Sequence, residues 1–375
     1  MKKKVEKDPK QMRYGYTTGA NATAATKAAL LSLLQQKEVK EVSIRLPVGE
    51  VVTFQMENVT FSQTEASATV IKDGGDDPDA THGAEIVSTV RLTNNEGIHL
   101  DGGIGVGRVT KPGLPVAVGE AAINPVPRQM IMGVALEVFE QFSLTNGVRI
   151  IISVPEGEEI AKKTLNGRLG IIGGISILGT RGIVVPFSTS AFKASIAQAI
   201  QVAVTNGCDH LFLTTGGRSE KFAIETHPEI KEEAFIEMGD FVGFALKQCK
   251  AKKVKKVTLV GMMGKFSKVA QGVMMVHSKS APVDFNFLAE VARESGVPNE
   301  LIEEILGANT ASQVGTLMLE HEHPTFFSKL CEAICHQSLK EIRGGLDIEA
   351  YIISMSKEVL GREVVKWNNQ LKSSE

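Results

Sequence analysis

The stretch HLFLTTGGRSE, residues 210–220, is an apolar run that ends in a pair of glycines. KKVTLVGMMG, residues 255–264, repeats the pattern. Helical patterns precede and separate the two runs, at residues 190–207 and 231–250. Strands that alternate with helices predict a parallel sheet with crossover helices, because parallel neighbours need a long connection. The sequence therefore predicts a three-layer α/β domain over residues 186–285.

The glycine turns after the two predicted strands are candidates for ligand binding. Ligands of open parallel sheets bind outside the carboxyl ends of the strands. Asp284 follows the second turn at about the distance expected of a ribose-binding acid. Many parallel sheets carry such turns without a ligand, so a purely structural role stays open. The residues predicted to bind a nucleoside-bearing cofactor are Gly216, Gly217, Gly261, Gly264 and Asp284.

The amino-terminal half has a different pattern of predicted helices and strands. NATAATKAALLSLLQQ, from residue 21, predicts a helix, and alternating segments on either side of Gly49 predict a hairpin. The expected organisation is a flexible basic arm at residues 1–12, a mixed α+β domain at 13–185, the α/β domain, and a helical C-terminal part at 286–375 packed on it.

Composition limits the class of partner. A chain of 375 residues is long enough for two domains, and a net charge of −2 gives no electrostatic reason to bind nucleic acid or an anionic membrane. No run of signal or membrane-spanning length appears, and four scattered cysteines indicate reduced thiols. We expect a cytoplasmic protein with a small-molecule partner, and the sequence allows a homo-oligomer.

An acidic loop, KDGGDDPDATHGAE, occupies residues 72–85. A helix-flanked calcium loop needs a glycine at its sixth position, and neither Asp73 nor Asp77 as the first position provides one. The preceding segment also alternates like a strand. Two interpretations remain: the aspartates bond to nearby backbone and form turns, or they face a ligand.

Two glycine-rich segments carry arginine and lysine. In residues 101–130, Pro112 and Pro115 forbid the helix that a dinucleotide-binding turn requires. Residues 166–186 lack the ending of a phosphate loop and the spacing of a hydrolase elbow. Cations beside flexible backbone suit an anionic ligand, although solvated surface loops remain an alternative. The candidate anion-binding residues are Arg108, Lys111, Arg128, Arg168 and Arg181.

The His and Cys residues at 321–336 lack paired zinc spacing, so no protein-bound metal is expected.

Taken together, these motifs resemble one family, CbiD, the cobalt-precorrin-5B C(1)-methyltransferases of the anaerobic cobalamin pathway. The resemblance covers about residues 13–290, and Asn21 stands where family members often have cysteine. The matching motifs are GYTTG (15–19), KDGGDDPDATHGA (72–84), GVGRVTKPGLPVAVGEAAINPVPR (105–128), GGISILGTRGIV (173–184) and VGMMGKFSKVAQGVMMVHS (260–278).

The resemblance implies methyl transfer from S-adenosylmethionine to ring carbon 1 of cobalt-precorrin-5B, giving cobalt-precorrin-6A. Cobalt then belongs to the substrate. The cationic donor suits acidic side chains, and the substrate carboxylates suit the arginines and lysine. If a macrocycle proton must leave, the candidate catalytic bases are Asp76, Asp77 and His82. A nicotinamide-dependent reductase and a non-enzymatic tetrapyrrole carrier are the alternatives.

Overall fold

The computed structural model describes residues 12–277 and 280–367. The chain divides into two compact units, the first ending at Thr189 and the second beginning at Ser190. Each unit has its own hydrophobic core. The predicted basic arm, apart from Met12, lies outside the described residues.

The first unit is a mixture of strands and helices, as the sequence predicts. Its helices are α1 (Thr18–Gln35), α2 (Pro125–Phe142) and α3 (Gly157–Ala161). Its strands are β1 (Gly15–Tyr16), β2 (Glu41–Arg45), β3 (Val51–Gln55), β4 (Asn58–Phe61), β5 (Glu65–Ile71), β6 (Glu85–Thr93), β7 (Ile98–Gly102), β8 (Gly105–Val106), β9 (Arg108–Val109), β10 (Gly147–Ser153), β11 (Ile171–Ile172), β12 (Gly174–Ile175) and β13 (Ile183–Val184).

A five-stranded sheet in the order β4-β5-β6-β10-β7 is the framework of this unit. Only β10 and β7 pair in parallel within this sheet. Alternate residues of β10, among them Ile150 and Ile152, are fully buried, because strand side chains alternate between the two faces. These residues share a core with the alanines of α1 and the apolar side of α2.

Helix α1 is buried along most of its length. Its alanines have small side chains, which let the sheet and α2 approach its backbone closely. Thr17 caps the helix by accepting a hydrogen bond from the Ala20 amide, at 3.2 Å. The capped end carries the GYTTG motif, so the helix fixes the position of that motif.

The second unit contains the predicted parallel sheet. Its strands are β14 (His210–Thr214), β15 (Phe235–Glu237), β16 (Lys256–Gly261), β17 (Asp347–Ile353) and β18 (Val359–Val365). Its helices are α4 (Thr189–Thr205, which begins at the last residue of the first unit), α5 (Gly217–Thr226), α6 (Val242–Ala251), α7 (Met263–Ala270), α8 (Phe285–Glu294), α9 (Asn299–Leu306), α10 (Ala311–Glu320) and α11 (Pro324–Ile342).

The strands of this sheet lie in the order β15-β14-β16-β17-β18. The first four are parallel, and β18 is an antiparallel edge strand. Phe212 faces a small core that includes residues of α5, whereas its neighbours Leu211 and Leu213 face the larger core of α4 and α6 to α11. The sheet is therefore the middle of three layers, as predicted.

Two sequence expectations need correction. The part at 286–375 is helical only as far as Ile342, and β17 and β18 follow it. Residues of β17 such as Ile348 and Ile352 are fully buried, and an apolar run of this kind pairs well inside a parallel sheet. The helix expected at 231–250 begins only at Val242, since Phe235–Glu237 is an edge strand and Gly239 has a positive φ of 56°. Helix α5 was not foreseen.

No helix among the described residues is long and apolar enough to cross a membrane.

Candidate functional site

The two predicted glycine turns lie side by side in the second unit. From β14 the chain leads to β15 on one side, then returns to form β16 on the other side of β14. The strand order therefore reverses between the carboxyl ends of β14 and β16. Ligands of doubly wound sheets bind at such a switch point, because the loops there diverge and leave a crevice.

A cavity of about 730 Å³ opens at this switch point. The Gly216–Gly217 pair and Gly264, three of the five residues predicted to bind a cofactor, line it. Its size falls within the range of small-molecule pockets. The turn after β14 and the first turn of α5 contribute residues 215–219, and the turn after β16 and the first turn of α7 contribute 262–265. Helix α10 contributes Ser312, Gly315, Thr316 and Leu319. Strands β17 and β18 and the connection between them contribute 353–356, Glu358 and Leu360.

Helices α5 and α7 both begin at the cavity, at Gly217 and Met263. Their first amide groups give the cavity a positive potential, which favours an anionic group of a ligand. Lys265 joins the two turns: its Nζ donates to the Thr215 carbonyl at 2.9 Å and lies 3.0 Å from Asp240 Oδ1. The turns are thus held at a fixed separation.

The other two predicted cofactor residues do not line the cavity. A side chain at Gly261 would lie 2.4 Å from the Phe266 ring, so this glycine serves close packing beneath the turn. Asp284 caps α8, and its Oδ1 accepts the amides of Asn286 and Phe287 at 2.9 and 3.2 Å. The expected ribose-binding acid therefore has a structural task.

Glu358 is an acid of the cavity lining that the sequence analysis missed. It follows β17, in a region that the sequence analysis expected to be helical. The available signal was the buried run AYII at 350–353, which ends in Ser-Met-Ser in the way that the other two strands end in glycine. Reading that run as a third parallel strand would have placed Glu358 beside the same edge.

In the first unit, the acidic loop is tied to the GYTTG segment. Arg13 and Asp73 form a bidentate ion pair, one bond of which measures 2.9 Å. The guanidinium hydrogen bond lowers the pKa of Asp73 to about 2, and the Gly75 amide supports the ionised form. Asp79 pairs with Lys72 at 2.6 Å, and Lys72 is only 1% exposed. Burial would raise the pKa of Asp79, but the charge and hydrogen bond of Lys72, together with the hydrogen bonds from Thr81, outweigh burial, so the pKa is lowered.

The three predicted catalytic side chains also bond to backbone. Asp76 Oδ2 accepts the Arg13 amide at 3.0 Å. Asp77 Oδ1 accepts the amide of Phe187, a residue with a positive φ of 53°, at 2.9 Å. His82 Nδ1 accepts the Gly74 amide at 3.0 Å, which leaves Nε2 to carry the proton of the neutral ring. A hydrogen bond from a backbone amide occupies one acceptor atom on each side chain, and the histidine ring remains half exposed.

The five predicted anion-binding residues differ in their surroundings. Arg108 is paired with Asp101 at 2.9 Å and lies in a second, polar cavity with Arg149. Lys111 packs across Gly170, whose added Cβ would lie 2.5 Å from the lysine Cγ. Arg128 lies in the first turns of α2, 3.9 Å from Glu120.

The remaining two, Arg168 and Arg181, belong to the segment that carries β11 to β13. Arg181 is exposed and Arg168 is half-buried. Nothing in these contacts assigns all five to one ligand.

All four cysteines are buried free thiols. Among residues 12–277 and 280–367, no three His, Cys, Asp or Glu side chains are grouped as a metal site would require.

Comparison with known proteins covers both units. The family model described as CbiD matches residues 5–186, and the one described as CbiD, C-terminal domain, matches residues 275–364. The second match extends well beyond the motifs recognised in the sequence.

Several curated relatives align over nearly the whole chain. The cobalt-precorrin-5B C(1)-methyltransferase of Priestia megaterium is 62% identical over 366 residues, covering 98% of this chain and 100% of the relative. The enzyme of the same name from Geobacillus kaustophilus (strain HTA426) is 62% identical over 355 residues, 95% of each chain. That of Leptospira borgpetersenii serovar Hardjo-bovis (strain L550) is 44% identical over 353 residues, 94% of this chain and 95% of the relative.

Among solved structures, the 1.9 Å crystal structure of the cobalamin biosynthesis protein (cbiD) from Archaeoglobus fulgidus is 32% identical. The match covers 76% of this chain and 85% of that chain, with a TM-score of 0.38.

Proposed function

The chain belongs to the CbiD family, and from that premise we infer that it is a cobalt-precorrin-5B C(1)-methyltransferase of cobalamin biosynthesis. The observation that carries this conclusion is 62% identity to a curated enzyme of that name over 98% of the chain. The substrate is a cobalt tetrapyrrole, and the cobalt belongs to it. The product of methylation at ring carbon 1 is cobalt-precorrin-6A.

The methyl donor in this proposal is S-adenosylmethionine, bound in the switch-point cavity of the second unit. A nucleoside fits a cavity of about 730 Å³ whose walls are largely apolar. The carboxylate of the donor suits the first turns of α5 and α7, because helix amino termini bind anions and neither helix has a side-chain cap there. Gly216, Gly217 and Gly264 allow close approach of the ligand to the backbone.

The substrate carboxylates are assigned to the first unit. A cobalt precorrin carries acetate and propionate groups, which bind best to arginine and lysine. Lys111, Arg128, Arg168 and Arg181 are the cations proposed for this role, together with Arg108, which would exchange its partner Asp101 for a substrate carboxylate. Glycines between these residues also allow main-chain amides to bind the substrate carboxylates.

A proton acceptor is proposed in the acidic loop. Methyl transfer to a ring carbon is a displacement on the donor methyl, so positioning supplies much of the rate, on the order of 7–11 kcal/mol at most. If the macrocycle loses a proton, the candidates are Asp76, Asp77 and His82. Each has one atom engaged with backbone and is anchored by it, which suits a positioned base.

The donor site is tested by titrating the full chain with S-adenosylhomocysteine in a calorimeter. Gly264→Val places a branched side chain in the cavity, where an added Cβ meets nothing closer than Ser312 Oγ at 3.9 Å. The variant should fold normally and lose at least about tenfold in affinity, or some 1.4 kcal/mol. The matched control is Gly307→Ala, outside the cavity lining, where the nearest atom to the new Cβ would be 3.5 Å away.

Binding of a nicotinamide dinucleotide instead of S-adenosylhomocysteine would favour a reductase, and binding of neither would favour a carrier. Either result would overturn the proposed methyltransferase activity. Unchanged affinity in Gly264→Val would overturn the donor site.

A further inference from the structure

The cavity at the switch point lacks the acid that was expected to bind ribose. The ribose of a nucleoside has two neighbouring hydroxyl groups. In proteins with doubly wound sheets, a carboxylate commonly accepts hydrogen bonds from them. Asp284 does not serve, because its Oδ1 already caps α8 with two hydrogen bonds. The cavity lining must supply another acceptor if the ligand carries ribose.

Glu358 is the one carboxylate that lines this cavity among the described residues. Its position is fixed by its own turn, because its amide donates to Ser354 Oγ at 3.0 Å and its carbonyl accepts the Ser354 amide at 2.9 Å. Its Oε2 accepts the hydroxyl of Ser356 at 2.8 Å. Within the described part of the chain Oε1 accepts no hydrogen bond, so one oxygen is anchored and the other is available to a ligand.

The turn that carries Glu358 is attached to the helix that begins at the glycine pair. Lys357 forms an ion pair with Glu225, near the end of α5, at 2.6 Å. Arg218, in the first turn of α5, contacts the sulfur of Met355. The register of β17 and β18 pairs Ile353 with Val359 and so closes the turn between them. Glu358 is thereby held on the same cavity as the glycine turns.

We propose that Glu358 binds the 2′- and 3′-hydroxyl groups of the nucleoside of the methyl donor, through Oε1 directly and with Oε2 held by Ser356. This assignment rests on the proposed donor site and adds its ribose subsite. The two helix amino termini take the carboxylate of the donor, and Glu358 takes its diol.

The test compares two ligands and three forms of the full chain. Calorimetry measures the affinity of the parent, Glu358→Gln and Asp284→Asn for S-adenosylhomocysteine and for its 2′-deoxy analogue. Glu358→Gln should weaken S-adenosylhomocysteine binding roughly 10- to 100-fold, because hydrogen bonds to a charged acceptor are lost. The parent should also prefer S-adenosylhomocysteine over the deoxy analogue, and Glu358→Gln should lose most of that preference.

Asp284→Asn is the matched control, since asparagine also caps helices, and its affinity should equal that of the parent. Glutamine at 358 can still accept the Ser356 hydroxyl, so the melting temperature of Glu358→Gln should stay within a few degrees.

A parent that binds S-adenosylhomocysteine while Glu358→Gln binds it equally well would overturn the ribose subsite alone. Loss of affinity in Asp284→Asn but not in Glu358→Gln would assign the diol to Asp284 instead. A parent that does not bind S-adenosylhomocysteine would overturn the donor site and this inference together.

Discussion

A methyl group added to Gly15 would lie 2.1 Å from the carbonyl carbon of Gly74. The contact is reciprocal, because a Cβ at Gly75 would lie 2.3 Å from the Arg13 carbonyl oxygen. The GYTTG segment and the acidic loop therefore meet backbone to backbone, with the Tyr16 amide donating to the Asp73 carbonyl at 2.8 Å. Glycine is required in both motifs because no side chain fits between them.

Gly15→Ala should lower the free energy of unfolding of the first unit by roughly 1–3 kcal/mol, since the clash is with backbone that cannot rotate away. Urea denaturation followed by circular dichroism measures the change. Gly133→Ala, inside α2 with nothing within 4 Å of the new Cβ, is the control and should stabilise by about 0.5–1 kcal/mol through helix propensity. Equal stability of Gly15→Ala and the parent would contradict the packing described here.

Asp76→Asn and Asp77→Asn should keep a melting temperature close to that of the parent, because asparagine can still accept the Arg13 and Phe187 amides. If one of these carboxylates accepts the proton of the macrocycle, kcat/KM of that variant should fall at least about tenfold, or some 1.4 kcal/mol of transition-state stabilisation.

His82→Gln should behave like these two variants, since glutamine cannot shuttle a proton near neutral pH. Methyl-transfer assays beside thermal melts test this set. Asp209→Asn, which loses only an exposed ion pair with Lys255, should remain fully active. Full activity in all three loop variants would leave the acidic loop with its turn-forming role alone.

Lys111→Ala and Arg128→Ala should each weaken substrate binding by roughly 1.5–3 kcal/mol, the range for hydrogen bonds to charged groups. Absorbance titration with the cobalt tetrapyrrole measures this. S-adenosylhomocysteine affinity should be unchanged. Arg91→Ala, which breaks an exposed pair with Glu65 in the same unit, is the control for loss of positive charge. A similar loss of affinity for the tetrapyrrole and for S-adenosylhomocysteine would show that the two cations do not act on substrate carboxylates.

Acid should destabilise the second unit through Glu349. Burial would raise the pKa of this carboxyl, but hydrogen bonds from Lys256, Thr258 and Arg362 lower it to about 2. An unfolded glutamate titrates near 4.5, so the stabilisation is present above that pH and is lost as the pH falls toward 2. A difference of this size corresponds to on the order of 3 kcal/mol at pH 7.

Glu349→Gln should therefore be less stable than the parent at pH 7, and the difference in free energy of unfolding between the two should narrow below pH 4. The single tryptophan, Trp367, packs against the core of the second unit, so its fluorescence during urea denaturation reports this transition. A gap that stays constant from pH 7 to pH 3 would contradict the account.

The pattern along the chain was enough to predict the parallel strands at 210–214 and 256–261, the turns after them and the helix after residue 20. Each depends on neighbouring residues: alternation or a continuous apolar run for a strand, alanine and leucine for a helix, glycine for a turn. The motifs were also long enough to identify the family. The edge strand at 235–237 was missed because its run of three residues is too short to show a period.

Tertiary structure decided which of these local features meet. Gly15 and Gly74 are 59 positions apart, and only the pairing of the chain segments brings their backbones together. The cavity depends on β14 and β16 being neighbours with the reversal of strand order between them, which no local pattern encodes. Asp284 and Glu358 are both acids that follow apolar segments, yet one caps a helix and the other lines the cavity. That difference arises because long-range strand order, and not spacing along the chain, determines which loops share an edge of the sheet.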